Sequence, residues 1–391
     1  MTSNERKELR YQRRKAKREK QVQRYSKYDD FEKVFTYENL YKSYKKCRRG
    51  VAWKSSTQKY ISQAPLLVYQ TFKKLHQGKF RSAGFYEFDI RERGKERHIR
   101  AVTIQERIVQ RCLCDYALVP MLKKSLIYDN SATLENKGYH FAVKRLCKHL
   151  SNHYHKYGNK GYVLIFDFKK FFDSVSHSLC RKIIHKHFKD EKLLKLIEHF
   201  IDMFGEKGLG LGSQISQIFA LSSANEIDHY IKEVCMFKAY GRYMDDGYII
   251  SPNKSALKSC KKEISGLCQT LHITLNSKKT QIVKLSHGFS FLKIKISLTA
   301  KGEVTKRMSR ESIVRERRKL KKFFVFVKSG KMSVDDVYTS WQSWKSYADN
   351  FNSYRSLQTT SKLYNRLFIT QGDDNNEFIA CTQQRLDNRT C

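Results

Sequence analysis

Residues 162–167 read YVLIFD, a run of aromatic and aliphatic residues that ends in a carboxylate. A continuous apolar run of this length predicts a β-strand that is buried on both faces. A second stretch, residues 243–247, reads YMDDG, and Asp-Gly between apolar segments is a strong signal for a β-hairpin. We therefore predict that Asp167 ends a buried strand and that Asp245 and Asp246 lie at the tip of a hairpin.

The three carboxylates are predicted to form a metal site. Like charges held close together raise each other's pKa, so such a cluster is costly unless cations occupy it. Mg²⁺ prefers hard oxygen ligands and accepts one or two carboxylates together with substrate phosphates. Two such ions can activate an attacking 3′ hydroxyl and stabilise a leaving pyrophosphate. Each Asp taken alone is more simply explained as a turn or strand-end residue, and only the combination predicts this chemistry.

The composition predicts a polyanionic partner. The 391 residues include 77 Lys and Arg against 38 Asp and Glu, which gives a formal net charge of +39. Nucleic acid fits best, because each neutralised phosphate releases counterions and a long groove can use many basic side chains. A membrane surface is the competing interpretation. No apolar run of about 18 residues and no apolar segment after the charged N-terminus is present, so we expect no membrane partner and a cytoplasmic location.

The spacing of apolar residues predicts a mixed α+β chain with about two or three subdomains. Residues 1–24 are predicted to be a solvated basic arm or helix. A hairpin is expected over residues 85–102, and further strands near 273–298. Helices are expected at residues 104–126, 140–156, 177–189, 191–204, 214–234 and 255–271, and again after residue 301.

Five segments, in this order, resemble the motifs of the reverse transcriptase family. Residues 166–173 (FDFKKFFD) resemble its first palm motif, and residues 243–246 (YMDD) match its YxDD motif. Between them, residues 212–217 (GSQISQ) fit the GxxxSQ form of the motif that supports the template and the incoming nucleotide. Residues 275–280 (LNSKKT) resemble the next motif, and residues 289–296 the primer-grip region. Each short match is weak alone, but their order is informative.

This resemblance implies a right-hand polymerase fold, in which an antiparallel palm sheet packs on helices between fingers and a helical thumb. We therefore expect a basic N-terminal extension at residues 1–45, fingers at 46–155, the palm with the catalytic site at 156–300, and the thumb with a C-terminal tail at 301–391. The implied activity is that of an RNA-directed DNA polymerase, a nucleotidyltransferase that uses two Mg²⁺ ions.

The resemblance also implies roles for the residues around the carboxylates. Asp167 and Asp245 are the expected metal ligands, and the backbone carbonyl of Phe168 is a further expected contact. Asp246 completes the catalytic set, although in some members of the family this second Asp only supports the site. Phe172 occupies the position of the aromatic ring that excludes a ribose 2′ hydroxyl. The plainer explanation of Phe172 is a core residue.

Other residues are expected to contact the nucleotide or the nucleic acid. Gln217 is expected under the nucleotide or template base, and Lys279 against phosphate. Lys95 and Arg97, on the fingers hairpin, are expected to close on the triphosphate as a cationic clamp. An ordinary polar or solvated position is the alternative for each of them. The predicted nucleic-acid contacts are Ser216 and, on a basic thumb helix, Arg315, Arg318 and Lys322.

The expected partners are an RNA template, a DNA primer or product, and deoxynucleoside triphosphates. The Ser216-Gln217 pair resembles diversity-generating retroelement enzymes and some defence-associated reverse transcriptases, and no nuclease or integrase pattern is present. We therefore expect the enzyme to copy a dedicated structured non-coding RNA in a bacterial defence or diversity-generating system, with room for an accessory protein. Two other classes stay open: a template-independent or RNA-synthesising nucleotidyltransferase on the same fold, and a catalytically idle RNA-binding protein.

Overall fold

The computed structural model describes residues 2–92 and 94–369, apart from the side chains of Arg18, Gln21, Glu92 and Lys95. Residues 370–391, which the sequence analysis assigns to the end of the thumb and the C-terminal tail, lie outside the described residues. Among the residues that are described, no helix combines the length and the apolar character that a membrane span requires.

Helices dominate the described ranges. The α-helices are α1 (Ser3–Ser26), α2 (Phe31–Val34), α3 (Tyr37–Cys47), α4 (Ser55–Ser62), α5 (Ala64–His76), α6 (Ile104–Leu113), α7 (Val119–Lys123), α8 (Tyr139–Tyr157), α9 (Phe171–Ser174), α10 (His177–His187), α11 (Glu191–Asp202), α12 (Gln214–Ser223), α13 (Asn225–His229), α14 (Lys254–Thr270), α15 (Arg310–Lys328), α16 (Val334–Ala348) and α17 (Tyr354–Phe368). The single turns of other helix types are the π-helical Cys114–Leu118 and Tyr230–Val234 and the 3₁₀ turn Leu285–His287.

The strands form three sheets, so the predicted α+β class is confirmed. β1 pairs with β2, a second sheet has the order β4-β5-β3-β6, and a third has the order β7-β8-β9. The pairs β1-β2, β4-β5, β7-β8 and β8-β9 are antiparallel. The strands are β1 (Tyr86–Glu92), β2 (Lys95–Ala101), β3 (Tyr162–Asp167), β4 (Tyr240–Tyr243), β5 (Asp246–Ser251), β6 (Gln281–Lys284), β7 (Phe289–Phe291), β8 (Ile294–Leu298) and β9 (Val304–Met308).

The chain divides into two compact units. Asp167, Asp245 and Asp246 lie in the first unit, and the basic helix α15 lies in the second. The first unit contains residues 1–146, 164–249 and 255–281, and the second contains residues 147–163, 250–254 and those from 282 onward.

Strand β3 is buried on both faces, as its sequence predicts. Val163, Leu164, Ile165 and Phe166 are all buried, although alternate residues of a strand point to opposite faces. Both edges of β3 are also covered, because β5 lies on one side and β6 on the other. The strand therefore delivers Asp167 to the end of a well-packed sheet.

The YMDDG segment forms the predicted hairpin, but the turn lies earlier than the Asp-Gly signal indicated. Tyr243 pairs with Asp246, so the two turn residues are Met244 and Asp245. Met244 adopts the left-handed backbone conformation with φ 56°, as a tight two-residue turn requires. Asp245 therefore stands at the tip, and Asp246 is already the first residue of β5.

Gly247 is explained by packing and not by the turn. It lies within β5, opposite Arg242. A Cβ atom at this position would stand 2.2 Å from Cζ of Phe166, far inside van der Waals contact. Glycine is therefore needed because β5 passes directly over the aromatic ring of β3.

The hairpin predicted over residues 85–102 is confirmed as β1 and β2. Gly94, with φ 76°, lies in the turn that joins the two strands. The backbone N–H of Arg100 donates to the carbonyl of Leu211 over 3.0 Å, and its guanidinium donates to the carbonyl of Phe204 over 2.8 Å. These contacts attach the base of the hairpin to the Gly-rich loop that precedes α12.

Two of the predicted helices are interrupted. The helix expected over 104–126 is divided into α6, a π-helical turn and α7, where Pro120 cannot donate a backbone hydrogen bond. The helix expected over 214–234 changes direction at Ala224 and ends in a second π-helical turn. The segment after residue 301 begins with strand β9, and the basic helix follows it.

Helices α15, α16 and α17 of the second unit pack around an aromatic core. Trp341 lies at its centre, stacked on Tyr364 with ring centroids 4.9 Å apart and on Trp344 at 5.3 Å. Leu320 and Phe368 complete the buried cluster together with Val337. Burial of these large side chains stabilises the bundle.

Candidate active site

The end of β3 and the tip of the β4-β5 hairpin lie side by side. The backbone N–H of Phe168 donates to the carbonyl of Asp245 over 3.2 Å. Asp167 is only 4% exposed. Burial raises the pKa of the Asp245 carboxyl above its ordinary value, and the negative charge of Asp167 raises it further. The predicted juxtaposition of these two carboxylates is therefore present in the fold.

A third segment closes over Asp167 from the loop after α14. The ammonium of Lys279 lies 2.6 Å from one carboxylate oxygen of Asp167, and the side-chain amide of Asn276 donates to the other oxygen over 2.9 Å. The backbone N–H of Asn276 also donates to the carbonyl of Asp167 over 2.8 Å. Sequence analysis identified Lys279 but missed Asn276, although both belong to the LNSKKT segment.

Lys279 is the cation of this cluster. Burial alone would lower the pKa of its ammonium, but the hydrogen bond and the charge of Asp167 outweigh that effect. The charges of Asp246 and Asp245 raise the pKa of Lys279 as well. The ammonium therefore stays protonated and partly neutralises three carboxylates.

The donor chemistry of the cluster suits a divalent cation. Among the described residues, no group of three or more His, Cys, Asp or Glu side chains is arranged as a ready metal cage. Asp167 and Asp245 nevertheless offer carboxylate oxygens, the ligands that Mg²⁺ prefers. Burial and, to a lesser extent, the charge of Asp167 raise the pKa of Asp245, and a divalent cation beside both carboxylates would offset both effects. These residues fit the expected group, and the metal site remains a prediction.

A buried ion pair supports the hairpin from behind. Arg242 of β4 and Asp228 of α13 are both fully removed from solvent at their side chains. The guanidinium donates twice to the carboxylate, from Nε over 2.8 Å and from Nη2 over 2.7 Å. The hydroxyl of Tyr240 donates to the same carboxylate. The pair is thus bidentate and hydrogen-bonded on several sides, the geometry in which a buried pair is stable.

The same guanidinium holds the turn of the β4-β5 hairpin. Nη1 of Arg242 donates to the backbone carbonyl of Met244 over 2.7 Å, and Nη2 donates to the carbonyl of Leu221 over 2.9 Å. Arg242 therefore joins α12 and α13 to the turn that presents Asp245. Sequence analysis missed this residue, and the available signal was an arginine inside an otherwise apolar strand.

The comparison with known families agrees with this geometry. Residues 90–296, more than half of the chain, match the family described as reverse transcriptase (RNA-dependent DNA polymerase). The chain belongs to the reverse transcriptase family. The resemblance stated from the motifs is thus confirmed, and the matched residues contain all three carboxylates.

Individual relatives are distant from this reverse transcriptase. Protein YkfC of Escherichia coli (strain K12) is 23% identical over an alignment of 241 residues, and the match covers 51% of this chain and 62% of YkfC. Telomerase from Candida albicans, solved with a fragment of telomeric RNA, has a TM-score of 0.49 and 12% identity over 78% of this chain and 58% of the other. Apo telomerase from Candida tropicalis has a TM-score of 0.47 and 15% identity, covering 78% and 64%. The chain spans less than two thirds of each of these proteins.

Phe172 lies in a helical turn, not in a strand. Lys170 has φ 47°, and this left-handed residue turns the chain from β3 into α9. The ring of Phe172 is half-buried and meets the ring of Phe171 edge-on at 6.2 Å. The N–H of Leu209 donates to the carbonyl of Phe172 over 2.8 Å. The backbone of Phe172 is therefore held by the loop that precedes α12, and the role of its ring stays a prediction.

The two residues of the family's SQ pair have different environments. Ser216 is completely buried, and its hydroxyl has no hydrogen-bond partner among the described residues. Gln217, the next residue of α12, is partly exposed. Gln217 is thus accessible to solvent and its role stays a prediction, whereas Ser216 does not present its side chain to a surface.

A chain of buried hydrogen bonds joins the start of this motif to helix α6. The hydroxyl of Ser213 donates to Gln110 over 3.0 Å, and the amide of Gln110 donates to Glu106 over 3.3 Å. The hydroxyl of Ser82 donates to Glu106 over 2.6 Å. Burial raises the pKa of Glu106. These bonds fix the loop in front of α12 against the residues that carry the β1-β2 hairpin.

The predicted cationic contacts lie on two separate elements. Arg97 is exposed on β2, opposite Ile90, while the side chain of Lys95 lies outside the described residues. On α15 of the second unit, Arg315, Arg318 and Lys322 are exposed, and their spacing of three and four residues places them on one helix face. Their roles remain predictions.

Other basic residues of α15 face inward and bond to neighbouring helices. Arg317 donates to the hydroxyls of Thr359 and Thr360. Lys319 contacts Ser340 at 3.1 Å and Glu316 at 2.8 Å. Arg317 and Lys319 are therefore engaged within the bundle, which leaves a narrower basic face open to solvent on α15.

Asp228→Asn is expected to destabilise the first unit by about 3–5 kcal/mol, because it leaves the buried charge of Arg242 without compensation. Urea unfolding followed by circular dichroism measures this change. Asp202→Asn, which removes one partner of an exposed pair with Arg181, is the matched control and should change the free energy of unfolding little. Equal stability of the two variants would show that the buried pair is dispensable.

Proposed function

We propose that this protein is an RNA-directed DNA polymerase. The observation that carries the proposal is the meeting of Asp167 and Asp245 at adjoining ends of β3 and the β4-β5 hairpin. Membership of the reverse transcriptase family supports the same conclusion. The expected substrates are deoxynucleoside triphosphates, added to a primer on an RNA template.

Asp167, Asp245 and Asp246, with the carbonyl of Phe168, are the proposed ligands of two Mg²⁺ ions. When bound, such ions lower the pKa of an attacking 3′ hydroxyl and neutralise the charge on the leaving pyrophosphate. The protein fixes its own ligands in two ways: Asn276 orients Asp167, and the hydrogen bond from Phe168 to Asp245 joins β3 to the hairpin turn. This fixed arrangement reduces the reorganisation that the reaction needs.

Other groups of the chain are proposed to bind the nucleotide. Lys279, charged because the carboxylates raise its pKa, supplies a positive charge for phosphate oxygens. Phe172 excludes a ribose 2′ hydroxyl, and Gln217 supports the base. Lys95 and Arg97 close on the triphosphate from the β1-β2 hairpin.

The proposed subdomains follow the right-hand arrangement of the family. Residues 1–45 form the basic extension, 46–155 the fingers, 156–300 the palm and 301–391 the thumb with its tail. The exposed face of α15, with Arg315, is proposed to hold the backbone of an RNA–DNA hybrid, whose A-form shape is recognised through phosphates and 2′ hydroxyls.

We also propose that the enzyme copies a dedicated structured RNA in a defence or diversity-generating system. Helix α1 supports this idea, because it is exposed and carries ten Lys and Arg against three Glu. Charge alone gives binding that is sensitive to salt and independent of sequence. Selectivity for one RNA must therefore come from its shape, recognised outside the palm.

Asp245→Asn is expected to lower DNA synthesis on a primed RNA template with Mg²⁺ by about 100-fold or more, because the amide keeps the shape but loses the charge that binds the metal. Primer extension measures the rate, and RNA binding should be unchanged. Asp202→Asn is the control and should synthesise DNA normally. Full activity of Asp245→Asn would contradict the two-metal assignment, and synthesis without any template would favour a template-independent nucleotidyltransferase.

Phe172→Ala is expected to let ribonucleotides compete better, because loss of the ring opens space for the 2′ hydroxyl. The ratio of kcat/KM for a deoxyribonucleotide to that for the matching ribonucleotide should fall by about tenfold or more. Phe326→Ala, which removes a half-buried ring from α15, should leave this ratio unchanged. An unchanged ratio in active Phe172→Ala would assign Phe172 to the core.

Deletion of residues 2–24 is expected to weaken binding of the cognate RNA about tenfold more than binding of a generic RNA–DNA hybrid at the same salt concentration. The RNA is obtained by sequencing the nucleic acid that co-purifies with the full-length protein. Random cellular RNA in that fraction, together with equal reductions of both affinities, would exclude the dedicated template and leave the polymerase proposal intact.

A further inference from the structure

The first unit contains a large basic groove that the proposed catalytic site does not use. Its volume is about 1030 Å³, and its walls come from the end of α1, from α3, and from the segment 111–124. Its carboxylates are Asp115 and Glu135. Its cationic side chains outnumber them three to one and are Arg24, Lys46, Arg49, Arg111, Lys123 and Lys124.

Part of this positive charge is not compensated within the protein. Asp115 accepts from both Lys46 and Arg111, at 2.7 and 2.8 Å. In the part of the chain that the structure describes, the side chains of Arg24, Arg49 and Lys123 have no hydrogen-bond or ion-pair partner. Like charges gathered in one concavity repel each other and attract a polyanion.

Tyrosine rings stand among these cations. Tyr25, Tyr28 and Tyr116 line the groove and are half-buried. The rings of Tyr25 and Tyr28 lie 6.0 Å apart and are tilted by 50°, and the ammonium of Lys124 lies 4.6 Å from the Tyr25 ring centre. Aromatic faces beside cationic groups are the combination that binds the bases and phosphates of a single strand.

We propose that this groove binds single-stranded RNA. A duplex hides its base faces, so the tyrosines favour an unpaired strand. The volume of about 1030 Å³ lies at the upper end of the range of about 300–1,000 Å³ for ligand pockets, and the cations on its walls can pair with several successive phosphates of one strand. Gln214 of α12 also lines the groove, one turn before Gln217. The RNA can therefore be the unpaired template ahead of the copying site or an unpaired segment of a separate RNA; only this choice rests on the proposed function.

The test uses the full-length protein and a fluorescein-labelled 12-nucleotide oligouridine RNA, with binding measured by anisotropy over a series of salt concentrations. R49E/K123E should weaken binding by about tenfold or more. It should also reduce the slope of log Kd against log salt by about 0.7 for each phosphate that the variant no longer neutralises. K258E/K262E, which reverses two exposed lysines of α14, is the charge-matched control and should weaken binding much less.

A second variant separates stacking from charge. Y25A/Y28A should weaken oligouridine binding severalfold without changing the salt slope, because stacking releases no counterions. If both groove variants weaken binding no more than the K258E/K262E control does, the proposal is overturned. Equal weakening on a blunt RNA–DNA duplex would overturn it as well, since the groove would then bind duplex.

Binding of primed templates with 5′ RNA overhangs of increasing length shows whether the bound strand is the template or a separate RNA. If the groove holds the template, the overhang should strengthen binding to the normal protein and not to R49E/K123E, and unlabelled oligouridine should compete with it. If it holds a separate RNA, overhang length should have no effect while oligouridine binding still depends on the groove. If the normal protein binds oligouridine in the groove but synthesises no DNA, only the polymerase proposal is contradicted. If it synthesises DNA normally and the groove variants bind oligouridine as well as the K258E/K262E control does, only the groove proposal is contradicted.

Discussion

The charge of the buried Arg242 must be compensated by a buried carboxylate, and the candidate active site depends on this ion pair. Arg242 cannot reach water, so Asp228 must stand opposite it, and the spare donors of the guanidinium must find carbonyls at Leu221 and Met244. These bonds connect α12 and α13 to the turn. The position of Asp245 is therefore supported by an ion pair that is buried behind the turn.

On the other side of the turn, the constraint is the burial of negative charge. Burial raises the pKa of Asp245, and the neighbouring charge of Asp167 raises it further. Lys279 reduces these effects with its own charge. The buried ion pair supports the turn on one face, and the partly neutralised carboxylates on the other face are suited to accept cations.

Local sequence patterns correctly predicted the helices and strands whose signal lies in consecutive residues. They failed for features that depend on contacts between residues distant in the sequence. The apolar run of β3 and the alternation of the β1-β2 hairpin were sufficient for correct predictions. The Asp-Gly pair predicted the wrong position for the turn, because Gly247 is required by its close packing against the ring of Phe166, a residue far away in the sequence. For the same reason, no local pattern could pair Arg242 with Asp228. The roles of Phe172 and Gln217 rest on family resemblance, since spacing alone does not distinguish a functional residue from a core one.

The stacked rings of the helical bundle have a practical consequence for spectroscopy. The chain has three tryptophans: Trp341 and Trp344 lie together in α16 of the second unit, and Trp53 is 74% exposed in the first. Emission from the buried indole of Trp341 should differ in wavelength from that of the hydrated Trp53. Intrinsic fluorescence thus offers separate optical reporters for the two units, without a label and without altering any residue of the candidate active site.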